Sequence, residues 1–384
     1  MTSQRILFLF LTVAASCMSW LQLTYANNIH FADQLPTLHE TQEMAKLSLL
    51  VYKFRYHRNF TCDNFPEHRD DEIIDIDCHF YLHDEALGTQ VLLVSNDVEK
   101  YISVVFAGTD DIRTSLQDAN IFTKPFGNND TIFLKDPNAR VHAGFNNAVF
   151  TDNIWNQVYN QTKALWYQKT TQVNGNDYQL YTTGHSLGAA NSMLIATAFA
   201  TLNNQFPPIK CINFGGPQTG NADWMHYFNA TSHLRDQMSI FRVVLAWDLV
   251  ARLPEFFYHA GHTVQIDGKT NEVRVYYEHY GNEARGYAGA PTSWYSRSYA
   301  WLPFAMDDHH IRKYVRHLQD LNETTWAKKF FPTDGTVYDD DQWANPPDDW
   351  IQAEEDVPET ELVETSQGEQ MGLYQKLKRL LFER

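Results

Sequence analysis

Thr182-Thr183-Gly184-His185-Ser186-Leu187-Gly188-Ala189-Ala190 sets a serine between two glycines in a G-x-S-x-G pattern. A serine hydroxyl is a weak nucleophile at neutral pH. It must stand at the tip of a sharp turn, open to substrate and within reach of a base. Such a turn brings the backbone close to its neighbours, and only glycine tolerates that on either side. The flanks fit. Tyr178 to Thr182 (YQLYT) reads as a short strand, and Ala189 to Ala200 (AANSMLIATAFA) as a helix without Gly or Pro. Strand, tight turn and helix are the context the motif requires.

A nucleophile of this kind needs a base, and the base needs an orienting carboxylate. In elbow-type hydrolases the chain order is Ser, then Asp or Glu, then His, so both partners are sought after Ser186. Asp248 directly follows the apolar run Phe241 to Trp247 (FRVVLAW), past a strand end, where α/β sheets gather their functional loops. The same aspartate also suits a cap on the turn at Leu249-Val250. Asp223 and Asp236 lie in polar surroundings and read as surface. For the base, His309 and His310 are equal candidates in DDHHIRKY (residues 307–314). His259 and His262 bracket a glycine beside an apolar strand and read as structural, and His185 is taken to point elsewhere. The oxyanion of an acyl-transfer intermediate needs backbone donors. The N–H of Leu187, next after the nucleophile, is one. Thr109, at the end of the strand-and-turn run Val104 to Thr109 (VVFAGT), is the other.

The remaining elements alternate. Thr41 to Phe54 and Ile154 to Tyr167 have helical spacing. Gln90 to Val94, Tyr101 to Phe106, Lys210 to Phe214, Phe241 to Leu245, His262 to Ile266 and Glu272 to Tyr277 read as strands, and His309 to Leu318 as a last helix. Helices between buried strands indicate an α/β fold. A net charge of −17 over 384 residues argues against nucleic-acid binding, which wants a basic face. It also argues against simple electrostatic attachment to anionic membranes.

Arg5 and the apolar run Ile6 to Ala15, followed by Thr24-Tyr25-Ala26, read as a signal peptide over residues 1–26. That predicts a secreted or endomembrane-lumenal protein, and no later stretch reads as a transmembrane helix. Cys62 and Cys78 bracket a short polar loop and are the candidate disulfide, worth about 3 kcal/mol by loop entropy. Cys211 sits in an apolar strand and reads as a buried thiol. No Cys/His cluster has metal-ligand spacing, and no cofactor is expected. Sequons at Asn59, Asn129, Asn160, Asn229 and Asn322 are compatible with glycosylation. Residues 27–331 are expected to form the folded domain. From 332 to 384 acidic clusters broken by prolines, then a short basic amphipathic end, predict a disordered tail.

Six ordered motifs together resemble the class 3 lipases, the fungal-lipase-like branch of the α/β hydrolases. Val104 to Thr109 followed by Asp118 is similar to that family's strand, oxyanion turn and lid. Val141-His142-Ala143-Gly144-Phe145 resembles its V-H-x-G-F block, and Thr183 to Ala190 its elbow. Asn213 to Asn221 (NFGGPQTGN) and Arg242 to Pro254 (RVVLAWDLVARLP) resemble two further blocks, the second placing the catalytic aspartate on Asp248. His310 with Tyr314 is similar to an H-x-x-x-Y ending and tips the choice of base to His310. The resemblance implies an α/β-hydrolase fold with a mostly parallel central sheet flanked by helices. It implies a Ser186-His310-Asp248 triad with Thr109 and Leu187 as oxyanion donors. It also implies a lid containing Ile112, Arg113 and Leu116. The expected substrate is a lipid or other carboxylic ester at a lipid–water interface, cleaved through an acyl-enzyme. A triacylglycerol lipase-like activity comes first. A phospholipase A1 or feruloyl-type esterase on the same scaffold is the alternative, and a silent lipid-binding protein the third reading. Ala107 stands where the family often has Arg, and Ser115 where well-known members carry Trp. These departures predict only modest activation at an interface.

Overall fold

A computed structural model describes residues 34–327 apart from 55–59, 68–74, 110–121, 128–132, 134–135, 152, 173–177, 203–204, 231, 246–247, 255–256, 267–270, 272 and 277–307. Contacts divide the chain into two units, Met1–Tyr338 and Asp339–Arg384, and every described residue lies in the first. The expected signal segment 1–26, the tail 332–384 and the lid residues Ile112, Arg113 and Leu116 lie outside the described residues.

Helix α1 (Leu38–Phe54) opens with a reciprocal cap. The Glu40 carboxylate accepts from the Thr37 N–H at 2.7 Å, and the Thr37 hydroxyl accepts from the Glu40 N–H at 3.0 Å. This is the Ser/Thr-x-x-Glu box that satisfies two otherwise orphaned donors. The chain then forms a 3₁₀ turn (Cys62–Glu67) and strands β1 (Ile76–Asp84), β2 (Thr89–Asn96), β3 (Tyr101–Phe106), β4 (Thr123–Pro125) and β5 (Arg140–His142). Helices α2 (Ala143–Phe150) and α3 (Ile154–Gln172) lead to β6 (Gln179–His185), α4 (Leu187–Thr201) and β7 (Ile209–Phe214). Then come α5 (Ala222–Ala230), α6 (Ser232–Gln237), β8 (Met238–Leu245), β9 (His262–Ile266), β10 (Val273–Tyr276), α7 (Ile311–Gln319) and α8 (Glu323–Ala327).

The main sheet has the order β1-β2-β3-β6-β7-β8-β9-β10. Its centre, β3-β6-β7-β8-β9, is parallel, and the flanking pairs are antiparallel. Strands β2, β3, β8 and β9 are buried along their whole length, as expected where helices cover both faces. Alternate residues nonetheless serve different cores. Ile102, Val104 and Phe106 of β3 pack with α2, α3 and α4, whereas Tyr101 and Val105 pack with α1 and α7. Helix α4 is buried from Gly188 to Ala200, so its largely apolar sequence presents no polar face to solvent, and even Asn191, Ser192 and Thr197 are buried.

Two bonds clasp the first described elements to the last. The Gln42 amide donates to the Leu318 carbonyl, and the Trp326 indole to the Pro36 carbonyl, both at 2.8 Å. Cys62 and Cys78 form a disulfide that joins the 3₁₀ turn to β1, and Cys211 is a buried thiol. Among the described residues no helix is long and apolar enough to cross a membrane.

Candidate active site

Ser186 follows the last residue of β6 and precedes the first of α4, with φ 61° and ψ −128°. That conformation is sparsely populated for any residue with a Cβ, and it persists only where the surroundings enforce it. Here the flanking glycines permit it. A Cβ on Gly184 would collide with the Gly188 carbonyl, and one on Gly188 with the Phe106 carbonyl of β3. Leu187 is the first residue of α4, where helix N–H groups lack intrahelical acceptors and the helix dipole favours negative charge. The 107–109 turn lies against this elbow. A Cβ on Gly108 would fall 2.7 Å from the His185 carbonyl and 2.9 Å from Ser186 Cβ. Thr109 is half-buried, three residues past β3.

Asp248 is fully buried just past β8, its N–H donating to the Leu245 carbonyl at 2.9 Å. One carboxylate oxygen, Oδ1, accepts from the Val250 N–H at 2.8 Å, so Asp248 also caps the turn that follows. The other, Oδ2, accepts from the Tyr314 hydroxyl. Burial by itself would raise the Asp248 carboxyl. The neighbouring His309 ring, by charge and by hydrogen bond, and the Tyr314 hydroxyl outweigh it and hold the carboxyl below its usual range. Burial and the same carboxylate push Tyr314 well above the usual phenol value, so it remains a donor.

The structure brings His309, not His310, to Asp248. His309 is buried, and its Nδ1 lies 2.9 Å from Asp248 Oδ1 and 2.8 Å from Oδ2. His310 is exposed and makes no side-chain capping bond. Its relation to Tyr314 would put both on one helix face only if the helix already included position 310. Helix α7 begins at Ile311, and His310 is its N-cap in an extended conformation, φ −70° and ψ 124°. Successive side chains alternate in an extended segment. So 309 turns inward, 310 outward, and Ile311 begins the buried face shared with Tyr314, Val315 and Leu318.

With Nδ1–H directed at a carboxylate, Nε2 is the ring nitrogen left to take up a proton. That atom is buried and has no hydrogen-bond partner among the described residues. The link from Nε2 to the Ser186 hydroxyl is therefore not made. In unliganded sites such bonds often tighten only when substrate arrives.

His185 is the residue that sequence reasoning set aside. Its Nε2 lies 2.6 Å from the His309 carbonyl and its Nδ1 2.9 Å from the Tyr52 hydroxyl. Its ring lies 4.5 Å from the His309 ring, centroid to centroid. No local signal joins it to positions 52 and 309.

His185 and His259 are both buried, and desolvation pushes each ring well below the usual imidazole range. Both are neutral in the folded chain, whereas an unfolded chain protonates them below about pH 6.5. Stability from these rings is full above that pH and falls as pH drops, by up to about 1.4 kcal/mol per pH unit for each ring. Thermal melts at pH 7, 6 and 5 should show Tm falling at each step. An unchanged Tm would contradict neutral rings.

Among the described residues no group of His, Cys, Asp and Glu is arranged to hold a metal ion. Ser186, Asp248 and His309 all lie at the carboxyl ends of the central strands or in the turn before α7. This is where open α/β sheets place their ligand crevice.

Residues 103–258 match the family Lipase (class 3). A lipase of Rhizopus niveus is 26% identical over 192 residues, which are 49% of this chain and 44% of the relative. Phospholipase A1-IIbeta of Arabidopsis thaliana is 35% identical over 107 residues, 25% of this chain and 24% of the relative. The chain therefore spans less than half the length of these curated relatives. Among solved structures, lipase II from Rhizopus niveus superposes with a TM-score of 0.53 at 21% identity, covering 71% of this chain and 92% of that one. A Rhizomucor miehei triacylglyceride lipase also gives 0.53, at 20% identity, covering 72% and 91%. These likenesses show the α/β-hydrolase fold.

Proposed function

We propose that the chain is a class 3 lipase-like protein, as the match over residues 103–258 and the Rhizopus relatives support, and that it hydrolyses lipid carboxylic esters with Ser186, His309 and Asp248. One observation carries the reading. A buried imidazole is held by a carboxylate through one nitrogen, has no partner for its other nitrogen among the described residues, and lies against the ring of His185, the residue before the strained Ser186. The Rhizopus relatives, named as lipases, support a lipid ester substrate, and the sequence resemblance puts a triacylglycerol first.

In the proposed reaction, Ser186 attacks the ester carbonyl while His309 Nε2 takes its proton. The imidazolium formed is stabilised by Asp248, whose carboxyl stays ionised. His309 then returns the proton to the leaving alcohol, and an acyl-enzyme remains. Water repeats the sequence and frees the acid. The N–H groups of Leu187 and Thr109 would hold the oxyanion, where loss of one donor typically costs about 10²–10³ in rate. The Cys62–Cys78 disulfide and the apolar N-terminal run support passage through an oxidising compartment and secretion.

A panel of triacylglycerols, phospholipids and feruloyl esters, each with and without an interface, tests the reading alongside a fluorophosphonate probe. We expect ester hydrolysis, a modest rise at the interface, and labelling that Ser186→Ala abolishes. Activity confined to phospholipid would move the proposal to a phospholipase A1, which the Arabidopsis relative supports. A folded protein that hydrolyses no ester, or that labels equally as Ser186→Ala, would overturn it in favour of a lipid-binding protein.

A further inference from the structure

We propose that Tyr52 and His185 form a strut that positions His309, an inference that rests on His309 being the base. The hydrogen-bond directions follow from chemistry. The His309 carbonyl can only accept, so His185 Nε2 carries the proton at this 2.6 Å contact. The His185 ring is neutral, so its Nδ1 is then a bare acceptor, and the Tyr52 hydroxyl 2.9 Å away must donate. Tyr52 thereby selects the tautomer in which His185 grips the His309 backbone. The chain of contacts runs from α1, across the residue before the nucleophile, to the main chain of the base.

The position of the strut adds to its hold. The Tyr52 hydroxyl lies against Gly108, where an added Cβ would strike it and would also meet Ser186 Cβ at 2.9 Å. It therefore stands between the oxyanion turn and the elbow. The His185 and His309 rings are inclined by 33° with centroids 4.5 Å apart. The neutral His185 ring therefore lies beside the imidazole that becomes charged during the reaction. Asp248 fixes the His309 ring through Nδ1, and Tyr314 fixes Asp248. The strut fixes the backbone from which that ring hangs. An error of about 1 Å in such placement can cost about 100-fold in rate.

Tyr52→Phe, His185→Leu and His185→Gln test the strut, with kcat and KM measured per active site titrated by a fluorophosphonate. Titration removes misfolded molecules from the comparison. We expect Tyr52→Phe to lower kcat about tenfold and His185→Leu about 100-fold, each with KM within about twofold of wild type. His185→Gln, whose amide can still donate to the 309 carbonyl, should recover most of the loss seen in His185→Leu. Wild-type kcat per titrated site in Tyr52→Phe would overturn the proposal. So would a loss confined to KM or to the number of titratable sites. Should His185→Leu fail to fold, Tyr52→Phe alone decides. Ser186→Ala and His309→Ala report on the triad separately: if both are silent and Tyr52→Phe is fully active, only the strut falls.

Discussion

His309→Ala should lower kcat for a simple acyl ester about 10⁴-fold, while His310→Ala should stay within about twofold of wild type. The two residues are neighbours, so composition and distance from the elbow in sequence do not separate them. Their environments do. The His309 ring is buried, tied to a carboxylate on one side and unpartnered on the other. The His310 ring is exposed at the N-cap of α7. Without the imidazole, no group is left to take the proton from Ser186, and KM should change little because the ring contributes to the transition state rather than to uniform binding. Steady-state kinetics on both variants, each with a matching melting curve, check this. A severe loss in His310→Ala with activity retained in His309→Ala would require α7 to start one residue earlier and would overturn the assignment.

Asp248→Asn should also cost about 10⁴ in kcat while leaving the fold in place. The carboxylate serves three donors at once: the Val250 N–H and the Tyr314 hydroxyl, on Oδ1 and Oδ2 respectively, and His309 Nδ1. An amide offers one acceptor oxygen and one donating nitrogen. If its nitrogen faces His309, the imidazole must accept at Nδ1 and carry its proton on Nε2, where it can no longer receive one from serine. If the amide turns the other way, its nitrogen faces the main-chain N–H of Val250 or the Tyr314 hydroxyl, and Val250 N–H cannot reverse its role. Either orientation also removes the charge that stabilises the imidazolium. The rate of fluorophosphonate labelling should fall with kcat. Activity within tenfold of wild type would show that another group orients His309.

The elements that could be read from sequence are those whose cause is local. The elbow announces itself in a local glycine spacing: Gly184 is required by its approach to Gly188 four residues on, although Gly188 answers to the distant Phe106 carbonyl of β3. Asp248 could be found because the buried run before it marks a strand end. The Thr37–Glu40 cap lies just past Pro36, close to where the periodic pattern begins. Which histidine meets Asp248 could not be resolved because that turned on where the last helix begins. The reading that began the last helix at His309 placed both histidines on it, whereas the observed α7 begins at Ile311. The Tyr52–His185–His309 contacts were out of reach for a different reason: they join positions 133 and 124 residues apart, and no periodicity encodes such a meeting.

The clasp between the first and last described elements bears on timing during synthesis. His309 and Tyr314 are borne by a segment that docks on α1, and that docking is sealed by Gln42 with Leu318 and by Trp326 with Pro36. On the proposed triad, a ribosome that has threaded out the elbow and the aspartate has still produced a serine with nothing to activate it. Only when position 326 clears the exit tunnel can the final helix settle against the first. On that triad the growing polypeptide stays unarmed until the segment that carries His309 has docked on α1.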